Sequence, residues 1–492
     1  MKRLVLFIAI LILGITYGAS CGDFADTIIS YSNLGGIPYD DPNSVLGKPA
    51  TIIKDFGFPP TPPGNYFVSM VYPAYNRDIN NNKVIVTIKQ QGHITVKFNE
   101  PIYNHPDNWY GKDFIVFGNS FFTANGYVYP NSNMEVLEIN NGIDGYWEEM
   151  TVSVSQDGVT WYDFTNGPYA DDYCPTNPHS WDWINRNWGV ELDFTKPVDP
   201  SLTKSSFGYQ SVASAINLLK DSAGGTAFDI DIFDLPLDPN NGLKWIQYIK
   251  VTADRIDDEE FYYEGEIDAF ARVGKTINPI KISDAKKLPD GSRVILNDCL
   301  VTTGAYETGL HNYVQNEDRS CGIRVLQSKL TRNDKVILYG VIGTLDNEKV
   351  LYATSYEVVS QDENIKPLGM PNKSIGGSNF YYDSVLSTGQ IGIAGSAGLN
   401  NIGLLIRTTG KVISVDSNGE YFIIDDGSGR NIKCKAPRDP EDAESVLVDF
   451  VMPSVNQYIV VTGISSIEYN QDIQANVSIV LLRDNDDLQV VN

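Results

Sequence analysis

The segment "YADDYCPTNPHSWDWINRNW", residues 169–188, interleaves carboxylates and aromatic rings more densely than any other part of the chain. Asp171, Asp172 and Asp182 can accept hydrogen bonds from hydroxyl groups, while Tyr173, Trp181, Trp183 and Trp188 offer flat apolar faces. A sugar presents a CH-rich face and a hydroxyl edge, and small-molecule sites combine mostly apolar walls with a few placed polar groups. In an extended segment Trp181 and Trp183 share one side. These seven residues are the candidate contacts for a carbohydrate ligand. The competing reading is a long loop folded over a sheet edge, its tryptophans serving as packing, which is the commoner use of aromatic clusters.

Two further stretches, "GTAFDIDIFD" (225–234) and "EGEIDAF" (264–270), place acids near strand ends. Calcium takes six to eight oxygens, which loops between strands supply from carboxylates and carbonyls. Solvated carboxylates are the alternative, since no EF-hand spacing is present. Catalysis has little support. The four histidines (His93, His105, His179, His311) are scattered, and there is no HExxH, GxSxG or phosphate-binding Walker loop. A glycosidase needs only two carboxylates at a fixed separation, and this acidic chain offers too many to single out a pair. The expectation is a protein that is not an enzyme.

Short strands must position these groups. "KVIVTIKQQGHITVKF", "KDFIVFGN", "MTVSVSQDGVTWYDF", "KWIQYIKVTA" and "EGEIDAFARV" are separated by Gly, Pro, Asn and Asp clusters, with one short helix expected in 209–219. That succession predicts an all-β fold whose N-terminal part is a β-sandwich or jelly roll. In "MTVSVSQDGVTWYDF" the alternation of Met150, Val152 and Val154 and the turn at Asp157-Gly158 read as a two-residue hairpin. Closed there, the ladder sets Val154 opposite Trp161 and turns the indole toward the core.

With 492 residues, two to four domains are expected. The net charge of −25 argues against nucleic acid or an acidic membrane surface as partner. Residues 1–20 read as a signal peptide: Lys2 and Arg3, then an apolar run from Leu4 to Tyr17, then Gly18, Ala19 and Ser20. Export to the cell surface or medium is therefore expected. Cys21 resembles the lipidated cysteine of bacterial lipoproteins, although Gly18 stands where that motif prefers Leu, Val or Ile. The other reading is ordinary cleavage after Ser20. Export permits disulfides. Cys299 and Cys321 fall in neighbouring predicted strands and are the expected pair, whereas Cys174 and Cys434 lie in different predicted domains.

All seven tryptophans lie between Trp109 and Trp245, and residues 22–275 carry 16 Lys/Arg against 35 Asp/Glu, while 276–360 carry ten of each. Both shifts put a boundary near residue 275. Beyond it the sequence repeats: 294–327 lines up with 404–436, each with a "Y(V/F)xxxD/E" strand (Tyr313 matching Tyr421), an acidic turn and a later "V-x-G" strand. This order predicts two small Greek-key barrels of the OB type. The expected organisation is a sandwich over 21–275, one barrel over 276–366, a linker over 367–401 and a second barrel over 402–492.

The pattern "SVLGKP … QGHITVKF … GKDFIVFGN … MTVSVSQDGVTWYDF … GGTAFDI … WIQYIKV … GEIDAFA" resembles an uncharacterised family of bacterial cell-surface proteins whose first module is similar to discoidin-type jelly rolls. "AKKLPDGSRVIL", "YVQNEDRSCGIRV" and "GLNNIGLLIRTTGKV" resemble the OB-like domains that follow in some of them. The resemblance implies a structural calcium beside the jelly roll, for which Asp229, Glu266 and Asp268 are the candidates. An OB barrel that binds nucleic acid needs a positive groove with stacking aromatics. Here the first barrel is neutral by count and 385–492 holds 7 basic against 14 acidic residues. The reading that follows is a non-catalytic exported surface protein that binds a glycan or protein, with a structural surface-layer or protein-interaction component as alternative and a glycan-acting enzyme or nucleic-acid binder as the remoter ones.

Overall fold

The computed structural model describes residues 22–255 and 264–491. The expected signal peptide and the lipidation site Cys21 lie outside the described residues. The chain is all-β. In the N-terminal region β1 (Thr27–Leu34), β2 (Val86–Tyr103), β3 (Phe114–Gly118), β4 (Thr151–Ser155) and β5 (Tyr162–Asp163) precede a hairpin of β6 (His179–Asp182) and β7 (Asn187–Glu191). Helix α1 (Val212–Leu218), β8 (Thr226–Phe228), β9 (Trp245–Thr252) and β10 (Gly265–Arg272) follow.

One sheet in the order β5-β4-β9-β2-β10-β3-β8, with β1 also on β2, folds over on itself. The 18-residue β2 allows this. Its second half pairs with β9 (His93 with Thr252), and its first half pairs with β10 (Ile88 with Gly265). Between the halves the register against β1 slips, at Gln91 and Gly92. A Cβ on Gly92 would come within 2.6 Å of the Ser32 carbonyl oxygen, so this bend requires glycine. Val96, Val152, Val154 and Ile249 from one half meet Phe114, Val116, Phe228 and Phe270 from the other in a continuous core.

The two layers differ on their outer faces, and the sequence patterns differ accordingly. "FIVFG" in β3 is apolar throughout because its second face, with Ile115 and Phe117, is covered by α1 and the tryptophan hairpin. "HITVK" in β2 and "YIKVT" in β9 alternate because their outer face meets solvent. The hairpin at Asp157-Gly158 corrects an expectation. Val154 pairs with Tyr162, not Trp161. Asp157 accepts the N–H groups of Val159 and Thr160, and Gly158 alone of the turn pair has positive φ, so the loop is longer than two residues. That offset exchanges the faces: Tyr162 packs inward against Phe233, and Trp161 stands outside.

In the C-terminal half, β11 (Arg293–Thr303), β12 (Asn312–Asn316), β13 (Gly322–Leu326), β14 (Lys335–Leu345) and β15 (Glu348–Ser360) close a barrel in the order 11-12-13-15-14. Then β16 (Leu405–Val415), β17 (Tyr421–Asp425), β18 (Asn431–Lys435), β19 (Tyr458–Asn470) and β20 (Ala475–Leu481) repeat that order, with β16 closing onto β19. Both copies have a parallel pair at the same place, Arg324 with Val350 and Lys433 with Ile479. Both first strands bulge at one position, after Val301–Val314 and after Val412–Ile424. Tyr313 therefore occupies the place of Ile423, two residues from its match by sequence. The stretch 367–401, expected as a linker, is built into this half. Leu368 pairs with Ile406, and Ile375 is fully buried in the second barrel's core.

The units are closely joined. Ile295, Ile337 and Tyr339 of the first barrel pack into the sandwich's second core. The second barrel's Leu405, Ile464 and Ile479 cover Tyr313 on the outer face of β12. There the backbones of Gly322 and Gly403 approach so closely that a Cβ on Gly322 would lie 2.1 Å from the Gly403 oxygen.

Candidate functional site

The tryptophan-rich segment is packing. Trp181 is 2% exposed and meets Trp188 edge to face at 5.7 Å, and Trp188 stacks on Phe67 at 5.3 Å. Trp183 is partly buried against the same core, and its main-chain N–H donates to Gln327 of the first barrel at 3.2 Å. Tyr173 packs edge-on to Phe122 and Phe207. The acids are committed as well. Asp182 caps the β6–β7 turn by accepting from the Ile184 and Asn185 N–H groups, and Asp172 pairs with Lys204 at 2.7 Å. Asp171 is buried and accepts the N–H groups of Asn119, Ser120 and Glu266. The expected open indole beside an acid is not formed here, because the β6–β7 hairpin is wedged between the folded sheet and the first barrel.

The three calcium candidates do not converge. Asp229 caps the turn Ile230–Ile232 through the Asp231 N–H. Asp268 is buried and accepts the Ala50 N–H with both oxygens, and burial pushes its carboxyl up to about 8. A register break between Ile267 and Ala269 separates Asp268 from Glu266, although the two are of equal parity along β10. Glu266 instead faces Glu148 and Asp171, all three offering oxygens within 4.8 Å of one another. Burial, and then the facing Glu266, pushes Glu148 up to about 10 and Asp171 to about 8. Such a cluster is neutralised by a cation or by a shared proton. The proton fits better: three N–H donors already occupy the Asp171 oxygens, and burial with the facing Glu266 favours the protonated form of Glu148.

Cys299 and Cys321 are free thiols, correcting the expected disulfide. Each packs in the core of the first barrel, where Cys299 Sγ meets the Asn297 carbonyl at 3.4 Å and Cys321 Sγ meets that of Gly322 at 3.9 Å. Cys174 and Cys434 are likewise buried and free.

The open outer face of the folded sheet offers a candidate site that the sequence pattern did not single out. A hollow of about 390 Å³ is lined by Ile29, Ser30, His93, Thr95, Gly158, Trp161, Lys250 and Thr252. Trp161 is partly exposed, with the Lys250 ammonium 4.5 Å from its ring centroid. One step along the ladder, Lys97 lies 5.6 Å from the Tyr248 ring. His93 is fixed by the Ser32 hydroxyl at 2.8 Å and the Ser30 hydroxyl at 3.2 Å. Burial, then Lys250, holds its imidazole below the ordinary histidine range. The signal was the polar half of the alternation, His93, Thr95 and Lys97 with Tyr248, Lys250 and Thr252. A second hollow of about 400 Å³ runs beside Lys48, Ala50, Asn80 and Lys83, with Asp268 in its wall.

Fold and site together define an all-β chain that presents a flat, aromatic and cationic sheet face. No family model and no curated protein matches this sequence.

Proposed function

We propose that this chain is an exported, non-catalytic cell-surface protein that binds carbohydrate on the outer face of its N-terminal sheet. The observation that carries the reading is the placement of Trp161, a partly exposed indole in a shallow hollow beside hydroxyls of Ser30 and Thr252 and the imidazole of His93. An aromatic face next to fixed donors and acceptors suits the CH-rich face and hydroxyl edge of a sugar. The two barrels act as a rigid mount. In OB-type barrels the face of the second and third strands carries oligonucleotides or oligosaccharides. In the first barrel Tyr313 and Arg324 stand on that face, and Leu405, Ile464 and Ile479 of the second barrel pack over Tyr313. Together with the charge of −25, this favours support over nucleic-acid binding.

A glycan array probed with the full chain and with Trp161→Ala, alongside a hydrolysis screen on every glycan retained, tests the proposal. Retention by the parent that is lost in the variant, without hydrolysis, is expected. If no glycan is retained, the chain is a structural surface component, and turnover of a retained glycan would make it an enzyme.

A further inference from the structure

We infer that the glycan taken by this face is anionic, an oligosaccharide bearing carboxylates of the uronic-acid kind; the inference rests on the carbohydrate reading above. Its ground is charge complementarity. The chain as a whole repels polyanions, yet this face gathers Lys97, Lys250 and His93. Elsewhere on the sandwich Lys48, Lys83, Lys204 and Lys244 each meet a carboxylate, whereas Lys54, Lys89 and Lys112 stand scattered, with no aromatic ring beneath them among the described residues. Among the described residues neither Lys97 nor Lys250 meets a carboxylate, and their close partners are the rings of Tyr248 and Trp161.

Two of the neighbouring acids are committed to local hydrogen bonds. Asp157 closes its own loop through the Val159 and Thr160 N–H groups, and Asp26 accepts from Asn99 N–H and the Thr27 hydroxyl. Asp163, opposite Ser153 on β4 and so in line with Lys250, is exposed on this same face, two residues from Trp161. From β1 the face receives the hydroxyls of Ser30 and Ser32, and from β9 Tyr248, Lys250 and Thr252. Asp163 thus stands on this face against the three basic groups Lys97, Lys250 and His93.

The geometry gives each group a task. A sugar ring stacks on the indole of Trp161 and displaces the Lys250 ammonium from it. The freed ammonium then meets the carboxylate of that sugar, and Lys97, two residues beyond Thr95 on the same face of β2, meets the next one. A carboxylate beside His93 favours its protonated form, so binding takes up a proton and tightens as pH falls.

The test is calorimetric titration of the full chain with three probes: an oligogalacturonate, its methyl ester and a neutral malto-oligosaccharide. Binding of the acid at least about tenfold tighter than of the ester is expected, further strengthened between pH 7.5 and 5.5. Lys250→Met and Lys97→Met should each remove most of that preference with the melting temperature unchanged, and Trp161→Ala should weaken acid and ester alike. Equal affinity for acid and ester overturns the anionic inference while the carbohydrate reading stands. No binding of any sugar in this panel or on an array overturns both. Equal binding of heparin, DNA and phosphatidylserine vesicles, dependent on the lysines but not on Trp161, also overturns it, because the face is then a general anion surface.

Discussion

Arg293, in the first strand of the first barrel, reaches the sandwich and meets the buried carboxylate of Asp221 at 2.7 Å while donating to the Glu191 carbonyl at 2.8 Å. This pair joins the two units at a point where water is nearly excluded, beside the reciprocal Asn217–Tyr356 hydrogen bonds of 3.0 and 2.9 Å. Removing one partner leaves a buried charge unpaired. Arg293→Ala should lower stability by about 3 kcal/mol in denaturant titration, whereas Arg293→Met with Asp221→Leu should cost much less. Equal losses from single and double variants would show that packing, not charge, joins the units.

The carboxylate cluster makes stability depend on pH. Glu148 stands near 10 and Asp171 near 8 in the folded chain, both raised from ordinary carboxylate values by burial and by Glu266. A carboxyl whose pKa is raised on folding binds more protons folded than unfolded across that interval. Its contribution is complete below the unfolded value, near pH 4, and is lost as pH climbs toward 8 and 10. The melting temperature should therefore fall between pH 5 and 9, and Glu148→Gln should flatten the slope. A shared proton predicts that EDTA and added calcium leave the melting temperature unmoved; a calcium-dependent rise of several degrees would assign the cluster to the cation.

Trp181 is core. Trp181→Ala should cost about 3–5 kcal/mol in chemical denaturation, the usual range for a buried indole, while any glycan retained by the surviving folded fraction is held as before. Loss of retention without loss of stability would return the site to the 169–188 segment.

Thiol chemistry separates the two halves of the cysteine reading. Cys299 and Cys321 are buried and unbridged, so dithiothreitol should leave the melting temperature unchanged, and alkylating reagents should label both only after unfolding. A peptide pair carrying Cys299 and Cys321 that separates only on reduction would place a disulfide between them.

The sequence shows the architecture more clearly than the site, for a physical reason. Periods of two residues and runs such as "FIVFG" report which faces are covered, and the repeated strand order of the barrels survives in the spacing of "Y(V/F)xxxD/E" and "V-x-G". Faces, however, depend on register. One extra residue in the loop after Ser155 moved Trp161 from core to surface, and one break in β10 parted Asp268 from Glu266. The hairpin carrying Trp181 and Trp183 looked exposed because its partner, Gln327, lies 137 residues from Val190, which it also holds. Contacts at that range leave no local pattern to read.

The most direct test of a sugar-binding sheet face is the dissociation constant of one array-selected glycan, measured calorimetrically on the parent chain and on Trp161→Ala. Trp161 lies partly in solvent over polar neighbours, so the variant should keep its melting temperature within about 3 °C and lose at least about tenfold in affinity. An unchanged dissociation constant with the fold intact would contradict the placement of the site on this face.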